Sequence, residues 1–155
     1  MSEALVPGHR YTSAAQEMWA LVIATLAGWE QRANAAAAEV GLSPVSAWAL
    51  VQLDPKAPPI SQKELARRLK CNPSTVVDPT DRLEEAGMVI RRPGAKDRRV
   101  NVLVVTPKGV KTRKLLISRL LDPPPAFRKV RSADQARFRE VMMEALTESR
   151  RRGKA

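Results

Sequence analysis

Residues 61–87 run SQKELARRLKCNPSTVVDPTDRLEEAG. Ser61-Gln62-Lys63-Glu64 has the form of a capping box: the serine hydroxyl takes the N3 amide and Glu64 reaches back to the helix start. Leu65, Ala66 and Leu69 share one face. Lys70-Cys71 makes a tight turn, and Asn72-Pro73 offers a second cap with proline at the first helical position. Gly87 ends that second helix. Two short helices joined by so short a turn form a helix-turn-helix unit.

The second helix carries a proline in its middle. Counted from Val76, Pro79 is i+3 and Leu83 is i+7, so position 79 faces the core. In a helix interior proline lacks the amide donor and its ring presses on the carbonyl of Thr75, at a cost of about 3 kcal/mol. It also biases Asp78 away from helical geometry. Asp78-Pro79-Thr80-Asp81 is itself a helix-start pattern, with Asp78 as cap. The expectation is a kink at Val77–Asp78, or a split into a short turn and a later helix. Either re-aims Ser74 and Thr75, and Pro79→Leu is expected to raise stability.

Beyond Gly87 the periodicity changes. Met88-Val89-Ile90-Arg91-Arg92 is a strand, Pro93-Gly94-Ala95-Lys96-Asp97 is turn chemistry, and residues 100–105 alternate as a second strand. The result is a β-hairpin with a basic tip. Upstream, Met18, Val22, Leu26 and Trp29 mark one long helix over residues 12–40, with Gly41 as its stop. Ser43-Pro44 opens a short helix, and residues 54–59 form a proline-rich connector. Downstream, Thr106-Pro107 caps a helix with Val110, Leu116, Ile117, Leu120 and Leu121 on its apolar side. Pro123-Pro124-Pro125 stops it. Ser132-Ala133-Asp134-Gln135 is a further capping box for a last helix bearing Phe138, Val141, Met142 and Ala145. Residues 150–155 form a frayed basic tail.

The 155 residues suit one mainly α domain with a small β-hairpin. The net charge of +11 is uneven: residues 1–60 hold 3 Lys/Arg against 5 Asp/Glu, residues 61–114 hold 14 against 6, and residues 115–155 hold 10 against 5. A basic block on a folded unit is the footprint of a polyanion. No apolar run is long enough for a membrane, so a cytoplasmic protein is expected. A single histidine and a single cysteine, far apart, form no metal cluster. With no phosphate-cradling glycine loop, nothing points to an enzyme or a cofactor.

Residues 61–109 resemble the MarR family of bacterial transcription regulators. The resemblance is carried by Ser61–Leu69, Asn72–Val76, Asp81–Gly87, the hairpin Arg91-Arg92-Pro93 through Asp97-Arg98-Arg99, and Thr106-Pro107-Lys108-Gly109. It implies a winged helix-turn-helix lobe over residues 43–106. Residues 1–42 and 107–155 then supply dimerisation helices. It further implies a homodimer on double-stranded DNA, each subunit reading a half-site of a pseudo-palindromic operator, with repression as the usual sense. The candidate DNA contacts are Ser61, Gln62, Asn72, Ser74, Thr75, Asp78, Arg82, Lys96, Arg98 and Arg99. Ser74 and Thr75 can donate to phosphate or bases. Asp78 either accepts from a cytosine amino group or caps a helix. Arg82 contacts DNA or pairs with Asp97 or Glu85. By resemblance either Arg98 or Arg99 enters the minor groove, oriented by Asp97. Position 79 is usually aliphatic in that family. Many members release DNA when a small aromatic effector binds between the dimer helices and the lobe, where Tyr11, Trp19 and Trp48 are the candidates, alongside Trp29 and His9. Cys71 is a small turn residue, with redox sensing as the lesser option. The competing reading is a non-specific, architectural dimer whose recognition helix Pro79 disables.

Overall fold

The computed structural model describes residues 7–26, 28–95 and 97–152. Two compact units divide at Leu121 and Asp122. In the first, α1 (Ala14–Leu26) and α2 (Trp29–Glu39) replace the single long helix expected over residues 12–40. The second helix restarts at Gly28, a weak helix former that caps α2 without any side chain. The chain leaves α2 through Gly41 at φ +69°. Then α3 (Pro44–Gln52) begins under the Ser43 hydroxyl, which accepts the Ser46 amide at 3.1 Å.

Three antiparallel strands follow in the order β1-β3-β2, formed by Ile60–Ser61, Asn101–Val105 and Val89–Pro93. The wing is therefore more than a hairpin, because Ile60 and Ser61 pair with Leu103 and Val102. Two residues are too few to show a period, which is why pattern alone missed β1. Ser61 then caps α4 (Gln62–Leu69), its hydroxyl taking the Glu64 amide at 3.2 Å. The capping box is only half made. Glu64 turns outward to the guanidinium groups of Arg67 and Arg68. Lys70, left-handed at φ 54°, closes the turn.

Pro79 receives a definite answer. Pro73–Val76 is a 3-10 turn, and α5 runs Val77–Glu85, so the recognition helix is split. The break falls two residues before the proline. Val76, not Asp78, holds the cap position, and Pro79 becomes the third residue of α5. First-turn amides have no intrahelical acceptor, so the missing donor costs little there. The interior penalty of about 3 kcal/mol does not arise. Pro79 is buried, as its spacing required. Pro79→Ala should therefore lower stability by about 1–2 kcal/mol, through lost apolar burial and a freer unfolded chain. This reverses the stabilisation expected for Pro79→Leu from an interior proline. A urea melt showing a gain near 3 kcal/mol instead would mean that the proline strains the helix.

A Schellman turn ends α5: Gly87, at φ +67°, and Met88 donate back to Glu84 and Leu83 at 2.8 and 2.9 Å. Thr106 then caps α6 (Pro107–Leu120) by accepting the Gly109 amide at 3.1 Å, and its own hydroxyl donates to the Gly87 carbonyl at 2.8 Å. Leu50, Leu65, Val76, Leu83, Val89 and Leu116 form one buried core beneath these elements. Each contributes about 1.5–3 kcal/mol of apolar burial. Arg119 ties α6 to Glu39 of α2 at 2.9 Å.

The second unit holds α7 (Pro125–Arg128) and α8 (Ser132–Arg152). The Pro123–Pro125 stop is followed at once by the short α7, because proline is well suited to a first helical position. The capping box expected at Ser132 does not close. Gln135 donates its side-chain amide to the carbonyls of Val130 and Phe127, at 2.8 and 3.3 Å. Residues 151 and 152 are helical rather than frayed, while 153–155 lie outside the described residues. Among the described residues no helix is long and apolar enough to cross a membrane.

Candidate nucleic-acid interface

The split recognition helix presents Ser74, Thr75, Asp78 and Arg82 to solvent, with Val76 and Leu83 turned inward. Asn72 is exposed at the head of the 3-10 turn, but its side chain makes no capping bond; its carbonyl accepts the Thr75 amide at 3.0 Å. Asp78 and Arg82 pair with each other at 3.0 Å, one helical turn apart. The bond to Asp78 holds the Arg82 guanidinium above its ordinary pKa. The ion pair that the sequence offered as the alternative to a DNA contact is thus made with Asp78, and not with Asp97 or Glu85, although the charge of Glu85 adds to the effect. Asp78 is not a cap either. The pair offsets the repulsion that Asp78 would exert on phosphate, and leaves Arg82 one donor edge for DNA.

On α4, Ser61 is half-buried and its hydroxyl is committed to the cap. Gln62 donates its amide to the Thr80 hydroxyl rather than pointing freely outward. Both therefore position the helices while standing at the edge of the exposed face. Glu64 is held down to about 2, first by hydrogen bonds from Arg67 and then from Arg68. Its folded value lies below the unfolded 4.5, so this contribution is present above pH 4.5 and is lost as pH falls through about 2. Thermal melts of wild type and Glu64→Gln should differ at neutral pH and converge on acidification. Parallel curves down to pH 2 would remove Glu64 from the account.

Arg98 and Arg99 are exposed at the wing tip, and Lys96 lies outside the described residues. Asp97 accepts the backbone amide of Arg99 at 2.9 Å. It shapes the turn itself through the backbone of Arg99. This is an Asx turn, which fixes the backbone from which both arginines project.

Sequence reasoning missed what joins wing to helix. Arg91 of β2 donates to Glu84 and Asp81 of α5, and to the Thr80 hydroxyl at 3.0 Å. The Arg91 amide also reaches Glu84 at 3.0 Å. Burial opposes the Arg91 charge, but the bonds to Asp81 and Glu84 outweigh it and raise the pKa. Thr80, fully buried, also donates toward the Val76 carbonyl at 2.8 Å. Its position, four residues after Val76, was the available signal; its polar side chain disguised it as a surface residue.

Behind the 3-10 turn lies a cleft of about 360 Å³, lined by residues including Trp29, Glu30, Trp48, Cys71, Thr75 and Leu116. The two indoles meet edge to face, centroids 5.9 Å apart and planes at 85°. Of the aromatic candidates only these two line it. Tyr11 stacks edge-on against His9 at 5.7 Å, and Trp19 stands exposed on α1. Cys71 is half-buried, its sulfur 3.8 Å from the Ala66 carbonyl. Among the described residues no group of three His, Cys, Asp or Glu could hold a metal ion.

A three-stranded wing strapped to a helix-turn-helix with an exposed second helix defines a winged helix-turn-helix fold. Residues 45–100 match the MarR family model. The chain is also similar to CouR from Rhodococcus jostii RHA1 bound to p-coumaroyl-CoA, at 22% identity over 87% of this chain and 95% of that one, TM-score 0.65. A structure of the transcriptional repressor CouR bound to a 23-mer DNA duplex gives 26% identity, coverage of 90% and 99%, and a TM-score of 0.62. The reduced form of MarR from E. coli gives 15%, 89% and 99%, and 0.69. Comparison with curated protein sequences finds no match. Residues 45–100 therefore carry a MarR-family match, and the solved structures share the winged helix-turn-helix fold of this chain.

Proposed function

We propose that this protein is a homodimeric repressor that binds a pseudo-palindromic operator and leaves it when a small aromatic effector occupies the cleft beside the recognition helix. The observation that carries the reading is that the recognition helix survives Pro79: α5 remains helical and Ser74 and Thr75 stay exposed. A disabled helix would have lost one or both. Exposed apolar side chains on α1 (Met18, Trp19, Leu21) and on α8 (Phe138, Val141, Leu146) support the dimer. Such rows are ordinarily covered by a partner. The 1–42 and 107–155 segments would then be dimerisation helices within a single 155-residue domain.

In this reading the recognition helix enters the major groove and one wing arginine enters the minor groove. Selection of bound duplexes from a random library at moderate salt tests it. A recovered palindrome, with half-sites about one helical turn apart, is the expected result. Binding that recovers no motif and fades steeply as salt rises would replace it with the non-specific architectural reading. On the selected duplex, Arg98→Ala and Arg99→Ala should separate. The groove-inserting arginine should lose about tenfold in affinity and relax the preference for A·T, whereas its neighbour should change mainly the salt slope.

A further inference from the structure

We propose that the cleft beside the recognition helix takes a planar aromatic cation in preference to an aromatic carboxylate. Among its described lining residues one is charged, and that one is Glu30. None of those described residues is a lysine or arginine that could meet a carboxylate. The cation between Leu116 and Leu120 on α6, Arg119, is turned to Glu39 at 2.9 Å. Trp29 and Trp48, with ring planes at 85°, form a corner of two indoles. Indole is the aromatic ring that attracts a cation most strongly. A flat cation can lie along one ring and meet the other, with its charge toward the Glu30 carboxylate.

The preference runs against the protein's overall field. A net charge of +11 draws anions to the surface in general. At physiological ionic strength that field is screened beyond roughly 8 Å. The local indoles and Glu30 then decide what stays. Glu30 also lies in the first turn of α2, where a carboxylate complements the helix dipole. That role alone would leave ligand charge preference untouched, which separates the two.

Thr75 lines the cleft and is also exposed on the reading face, so an occupant takes up a residue that DNA needs. This regulatory consequence rests on the function proposed above; occupancy does not.

Titration of the DNA-free protein, followed by tryptophan quenching and calorimetry, compares N-methylquinolinium with 2-naphthoate, two bicyclic ligands of opposite charge. The cation should bind about tenfold more tightly or better. Glu30→Gln should cut that preference roughly threefold while leaving the circular dichroism spectrum unchanged. Trp48→Ala, at a side chain 40% exposed, should abolish saturable binding without unfolding the chain. Equal or tighter binding of 2-naphthoate, or saturable binding of neither ligand, overturns the proposal. Because DNA is absent, cation binding by a protein that selects no operator would sink the regulator reading and leave this one standing.

Discussion

Gly109→Ala should destabilise the protein by about 2–3 kcal/mol, enough to lower the melting temperature by several degrees. The usual effect of this substitution inside a helix is a gain of about 0.5–1 kcal/mol, because alanine is the better helix former. Here the neighbours reverse the sign. A Cβ on Gly109 would stand 2.0 Å from the Met88 carbonyl oxygen and 2.8 Å from Cγ1 of Val105. The carbonyl is backbone and cannot rotate away. It also accepts the Thr106 amide at 3.0 Å, so moving it breaks the joint between the end of α5 and the start of α6. The Thr106 cap would shift with it, since its hydroxyl spans Gly109 and the Gly87 carbonyl. Denaturant melts settle the matter; an unchanged or raised midpoint would show that α6 can slide outward at no cost.

Arg91→Met should weaken DNA binding by more than about tenfold and lower stability by about 2 kcal/mol. The stability figure is held below the buried-pair range because the Asp81 and Glu84 side chains are 48% and 39% exposed and water screens them. The effect on DNA binding has a different origin. Arg91 is the clasp between β2 and α5, gripping Asp81, Glu84 and Thr80 at once. Without it two carboxylates of the recognition helix itself, Asp81 and Glu84, lose their cation and add negative charge that repels phosphate. The wing is also freed from the helix whose groove it must flank. Arg91→Lys keeps the charge but loses the forked donor, so it should fall between wild type and Arg91→Met. Anisotropy titrations on the selected duplex, alongside melts, would show this; affinity loss that merely tracks unfolding would reduce Arg91 to a fold residue.

Short-range chemistry in the sequence carried most of the fold. Caps at Ser43, Ser61 and Thr106 and stops at Gly41 and Gly87 depend on neighbours within four residues, and all five formed. What escaped depends on partners distant in the chain. β1 exists because Leu103 and Val102 arrive some forty residues later. Glu64 is the local exception: Arg67 and Arg68, three and four residues on, offer charged bonds that outweigh a neutral amide. The interface shows the same division. Exposure of Ser74, Thr75 and Asp78 followed from helical spacing, whereas the Arg91 clasp and the Gln62–Thr80 bond needed three elements brought together. Pro79 lies between these cases. Its inward direction was legible, but the helix register that makes it harmless was set by Pro73 starting a tighter 3-10 turn upstream.

Ser61 belongs to two structures at once: it pairs with Val102 in the sheet and caps α4 with its hydroxyl. Wing and helix-turn-helix therefore share a residue at one end, and Arg91 bolts β2 to α5. In a two-fold dimer such a lobe behaves as one arm of a caliper, with no joint between its two tips. The gap between the arms is then the only adjustable dimension. One base pair added between half-sites turns the second site by roughly 34° about the duplex. Arms without an inner joint cannot follow that turn, so the operator would be judged by its spacing as strictly as by its letters.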